Sequence, residues 1–226
     1  MTPHSFRRTA ALGLTGGPLL FTLGDLLRRL VEPSGNPSAT QLTQAVGDHP
    51  VTWLSAGLLS VLAAPLILVG VAGLLVDAVG RGARTTVAGV ALVAVGACAS
   101  VGHAAAFYAP YALYDRAGTP HTALRALDDT SGSYPLLVCL ITAFVVGMML
   151  GSIVLFVGLR RARRVPLWAV ISAVVFVAAG SSGGVVAGVV GVLAAGVAFG
   201  AAAGSLTRSA PPAAAVPERR EANLPV

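Results

Sequence analysis

Five polar residues set in apolar surroundings have the types and spacing to do chemistry: Thr15, Thr22, Asp25, Arg29 and His103. Starting from Arg8, the first four follow at intervals of 7, 7, 3 and 4. On a helix those intervals make one narrow polar stripe. Asp25 has Arg29 at i+4 and Arg28 at i+3 as partners. Ionisable groups inside a membrane are expensive, so a carboxylate there can serve as a proton relay or ligand anchor. The plainer reading, which the spacing favours, is an intrahelical ion pair near the interface with arginines reaching to headgroups.

His103 lies in GACASVGHAAAFY and has the chemistry to titrate near neutral pH, or to ligate a metal or haem. One membrane histidine makes no haem pair. His49 and His121 sit in loops with Asp48, Asp128 and Asp129, and no spacing among them specifies a metal site. A hydrogen-bonded packing role for His103 is the preferred expectation, with no metal and no cofactor. Cys98 and Cys139 lie in apolar runs, at depths of about 18 Å and about 7 Å counted along their helices. Two free, buried, inert thiols are expected. The chain has no phosphate-binding glycine loop, GxSxG or HExxH motif and no rhomboid-like Ser/His set, so no catalytic residues are assigned.

The elements that would position these residues are membrane helices. The chain is 55% hydrophobic and only 11% charged, against about 25% charge in soluble domains. Its mean hydropathy is +0.81. So much apolar surface must be buried in lipid. The net charge of +6 comes entirely from arginine, in short clusters beside apolar runs. That placement marks topology signals, not a nucleic-acid surface.

Helices are expected over about 9–31, 52–76, 85–110, 134–159, 165–180 and 184–206. The last two come from an uncharged run of 42 residues, Val165–Leu206. As one helix it would span about 63 Å, twice the hydrocarbon core. GSSGG at 180–184 is therefore a hinge.

RRARR at 160–164 marks a cytoplasmic loop. Working outwards, RGAR at 81–84 is also inside, and the loops with Asp48 and with Asp128 are outside. If 9–31 spans, eleven arginines lie inside and four outside; if it lies on the surface, nine and six. The narrow stripe also suits a spanning helix better than an interfacial one. No small-residue cleavage site follows it, so an uncleaved first span is expected.

The predicted fold is an all-α membrane bundle of six transmembrane helices, residues 1–207, with both termini cytoplasmic. Residues 208–226, rich in Pro and Ala, read as a disordered tail. The tyrosines and Trp53 are assigned to the outer interface and Trp168 to the inner one. Two short outer helices are expected. Ser38 and Gln41 form a capping box on the first, with Gly47 as its stop; Thr119 caps the second ahead of Pro120.

Glycines at i+4 spacing, Gly184/Gly188, Gly196/Gly200/Gly204 and Gly147/Gly151, allow close helix approach. Packing inside the monomer is preferred to a partner interface. RRTAALGLTGGPLLFTLGDLLRRLVEP, the segment ending GDHP and the helix start VTWLSAGLL resemble a family of small, uncharacterised multi-pass membrane proteins of high-GC bacteria. The resemblance covers the first third of the chain and implies no particular activity.

The expected partners are the lipid bilayer and, through glycine-rich faces, another membrane protein or a second copy; nucleic acid is not expected. The first functional reading is a non-enzymatic accessory or interaction protein of the bacterial cell envelope in the cytoplasmic membrane. The alternative is a small transporter or a lipid- or small-molecule-binding protein using the polar stripe. A haem or quinone redox enzyme is a third.

Overall fold

A computed structural model describes residues 3–76 and 78–208, and all regular structure among them is helical. The order is α1 (Pro3–Val31), α2 (Ala39–Asp48), α3 (Pro50–Val76), α4 (Ala83–Arg116), α5 (His121–Ser131) and α6 (Pro135–Val145). A π turn (Val146–Leu150) leads into α7 (Gly151–Arg161), followed by α8 (Leu167–Gly180) and α9 (Val185–Arg208). Five helices are long and apolar enough to cross a membrane: α1, α3, α4, the continuous α6–π–α7 rod, and α9. The sixth apolar helix, α8, has 14 residues and a length of about 21 Å. Of the expected tail at 208–226, Arg208 ends α9 and the rest falls outside the described residues.

The long helices and α8 close a ring. α1 packs on α3, α3 on α4, α4 on the α6–α7 rod, α7 on α8, α8 on α9, and α9 back on α1. One end of the ring carries the arginine-rich turns at 81–84 and 160–164, where a Cβ on Gly82 would touch the Gly158 carbonyl at 2.5 Å. This is the basic end. The other end is covered by α2 and α5 and is the capped end.

At the basic end the helices meet backbone to backbone. A Cβ at Gly13 would lie 2.6 Å from the Leu66 carbonyl oxygen, and Gly70 in turn faces the backbone of Leu14. Gly89 meets the backbone of Leu155, and Gly158 that of Thr86. Without a strong hydrophobic drive between helices in lipid, such close approach supplies the van der Waals contact that holds them. The centre is filled by Leu155, Phe156, Leu159 and Phe199, all at most 2% exposed.

Several boundaries differ from the sequence reading, each for a local reason. α4 continues past Pro110 to Arg116, because its outer part packs under α2. The span expected at 134–159 runs unbroken over Pro135–Arg161, with a π turn where Gly147 crosses Gly96. α2 runs through Gly47 to Asp48 and ends on the N–H of His49, which reaches the Ala45 and Val46 carbonyls. The Ser38–Gln41 capping box forms as expected. α5 starts after Pro120 with no side-chain cap, so Thr119 does not cap it. Cys98 and Cys139 are free but exposed on the outside of the ring, a correction to the expected burial. An apolar run does not reveal which face looks outward.

Trp53 is also corrected. It is 1% exposed, packed with Val31, Leu42 and Val46, and its Nε1–H donates to the Tyr108 carbonyl at 2.8 Å. α2 folds over it and buries the ring within the protein. Trp168 and Tyr134 are exposed, at 53% and 56%.

Candidate functional site

Towards the capped end the ring opens around a cavity of about 460 Å³. Its floor is Phe176 and Met148. Beneath that floor Phe176 meets Phe199 edge-on at 5.9 Å, and Phe199 meets Phe156 at 5.2 Å. The roof is the 35–37 loop with Leu42 of α2. One wall is the π turn and its approach, Phe144, Val145 and Met149. π turns leave a helix irregular and recur at functional sites. Across the space stand Val177 and Gly180 of α8. Met149 reaches this wall: its Sδ accepts from Ser181 Oγ at 3.5 Å.

The polar groups come from α1 and α4, with Ser60 added by α3. Asp25 and Arg28 line the cavity from α1; Ser100, His103 and Tyr108 line it from α4. Asp25 holds two guanidinium groups. Its Oδ1 accepts from Arg28 Nε at 3.0 Å and Nη2 at 2.9 Å, and its Oδ2 accepts from Arg29 Nε at 2.6 Å. The triad therefore carries one net positive charge. Arg28 keeps Nη1 for other partners, and its side chain is 22% exposed.

Arg29 is turned away and 2% exposed. Its Nη1 donates to the carbonyls of Ser182 and, at 3.2 Å, Gly184. Its Nη2 donates to those of Ala179 at 3.3 Å and Gly180 at 3.4 Å. These carbonyls lie at the α8 C-terminus and the turn into α9, where intrahelical partners run out and the helix dipole is negative. Gly188 lets α9 pass close to Arg29 and Leu26. The GSSGG hinge is thus held by a side chain of α1.

His103 lies between two rings, stacked on Phe144 at 5.1 Å and Phe107 at 5.8 Å. Phe144 continues to Phe21 at 5.7 Å, and Phe107 to Trp53 at 5.3 Å. No hydrogen bond among the described residues engages the His103 ring nitrogens, which leaves them to the cavity. Arg28 and His103 line the same cavity.

Of the five residues singled out from sequence, Asp25 and His103 share the cavity. Thr15 and Thr22 do not line it. Their hydroxyls bond back along α1, to the carbonyls of Ala11 at 3.1 Å and Pro18 at 2.9 Å. Arg29 serves the hinge. The sequence reading missed Arg28 as a lining group and missed Ser100, Phe107 and Tyr111. A signal existed: Ser100, His103, Phe107 and Tyr111 are spaced 3, 4 and 4, a polar and aromatic face of α4. Among the described residues no group of three or more His, Cys, Asp or Glu is placed to hold a metal. No protein-family model, curated protein or solved structure matches the chain.

Proposed function

We propose that the chain is a six-span protein of the bacterial cytoplasmic membrane, both termini inside, which acts as a non-enzymatic accessory of the cell envelope. In this role it holds an amphiphilic lipid or small molecule in the cavity at its capped end. The observation that carries the reading is the cavity. Its 460 Å³ falls within the range of about 300–1,000 Å³ for ligand sites, mostly apolar with a few convergent polar groups. An apolar floor beneath a charged rim matches an amphiphile.

Arginine placement supports the orientation, with the basic end in the cytoplasm. α8 counts as a span although it is shorter than a hydrocarbon core of about 30 Å. A helix that ends within the membrane needs its last carbonyls satisfied inside the protein. Arg29 does that for α8, and the loop after α1 covers the turn, Ser34 and Gly35 lying against Gly183.

Native mass spectrometry of the full chain, released in gentle detergent, tests the ligand. One retained amphiphile per chain is expected, and it should be lost in Val177→Trp, which fills the cavity. A ligand-free protein, or one whose adduct ignores Val177→Trp, rejects the reading. For topology, a reporter fused after Glu32 should read as external.

Docking of a second membrane protein or copy through α9 is the second reading. It is favoured by Gly200, midway between Gly196 and Gly204, whose Cβ direction meets nothing within 4 Å.

A further inference from the structure

We infer that the cavity selects an amphiphile with an anionic headgroup, a phosphate or carboxylate, anchored by Arg28, with its tail on the Phe176–Met148 floor. The inference rests on the ligand-binding reading above and gives it a chemical class.

The argument starts from the unequal use of two neighbouring arginines. Arg29 spends both terminal nitrogens on carbonyls of the α8–α9 turn and is closed to solvent. Arg28 spends Nε and Nη2 on Asp25 and is left with a further donor and a partly open side chain in the cavity wall. Asp25 has both oxygens engaged by guanidinium groups, so it has little left to offer a cationic ligand. Glu32, the first residue after α1, is turned onto the Ser34 and Gly35 amides. The remaining donor of Arg28 therefore faces a space whose lower walls are aromatic and aliphatic, with the surplus positive charge of the Asp25–Arg28–Arg29 cluster held in the wall behind it. His103 adds a polar group beside Arg28.

A charged donor beside a low-dielectric wall makes strong bonds to carboxylate or phosphate oxygens. An apolar floor adds affinity for a chain in proportion to the area it buries. A free anion gains the first term only, and a zwitterionic head brings its own cation next to Arg28. Anionic amphiphiles gain both terms.

The test uses the full chain in mild detergent, with three probes: oleoyl lysophosphatidate, oleoyl lysophosphatidylcholine and inorganic phosphate. Tight binding of the first, at least about tenfold weaker binding of the second, and none of the third are expected. Arg28→Gln should weaken lysophosphatidate by about tenfold and leave lysophosphatidylcholine unchanged, while Arg28→Lys retains most of the preference. Should Arg28→Gln not fold, the wild-type ratio of the two lipids still decides. Equal binding of both lipids, abolished by Val177→Trp, overturns the anionic selection and leaves the ligand-binding reading standing. Phosphate that displaces lysophosphatidate as well as the lipid itself does overturns the amphiphile. If neither lipid binds, the ligand-binding reading falls and this inference with it.

Discussion

Along α4 the two halves of the ring are packed by opposite rules, while the α1–α3 seam stays close in both, Gly24 lying against the Ala56 carbonyl. In the basic half, the glycines of α4 meet backbone: Gly89 lies against Leu155 N and Cα, and Gly96 against Gly147. Two turns further along α4, Gly102 meets only the Leu140 methyl groups, at 3.1 and 3.3 Å. On the neighbouring seam Gly57 of α3 faces the ring of Tyr108. Backbone contact draws helices together; side-chain contact holds them apart. The π turn marks the change, and the cavity begins above it. The lesson is that one helix of a bundle can border an opening at one end when its close crossings lie at the other.

In the capped half Arg29 clasps the α8–α9 turn, and its loss should have the largest effect. Arg29→Ala removes a buried cation from Asp25 and from four carbonyls at once. Removing one partner of a buried charged pair costs about 3–5 kcal/mol. Unfolding in detergent should report a loss in that range; a change under about 1 kcal/mol would remove the hinge clasp from the account.

Next comes the contrast along α4. Gly89→Ala puts a methyl group against backbone that cannot yield and should cost about 3 kcal/mol. Gly102→Ala pushes only on flexible methyl groups and gains helix propensity, so it should fall within about 1 kcal/mol of wild type. Equal losses at both sites would contradict the division into a tight and an open half.

The smallest effect is expected at the cap over the open half. Trp53→Phe keeps most of the ring packing and deletes the bond to the Tyr108 carbonyl. A destabilisation of about 1–2 kcal/mol should appear in the same assay. A value near 4 kcal/mol would mean that Trp53 supports the cavity roof as a keystone, a larger part than one hydrogen bond.

The all-helical class, the five apolar runs long enough to span and the turn at 180–184 were legible because they follow from run length, charge and glycine, which are local properties. Asp25 with Arg28 and Arg29 was legible for the same reason, at i+3 and i+4. The second role of Arg29 was not, since its carbonyl partners lie 150 to 155 positions away. The burial of Trp53 and the exposure of Cys98 and Cys139 depend on which helix face turns inward. Apolar runs that are apolar all round do not state that. The π turn depends on the Gly96–Gly147 crossing, again a tertiary event.

Thiol labelling compares the two halves most directly. Cys98→Ser and Cys139→Ser give a background that disturbs no core contact, since both thiols are exposed on the ring's outer face. Single cysteines then replace His103, in the cavity wall, and Val93, 1% exposed in the basic-half core. A small, water-soluble thiol reagent applied to the full chain in mild detergent should label the His103→Cys protein and spare the Val93→Cys protein. Labelling at both positions, or at neither, would contradict an open capped half above a solid basic half.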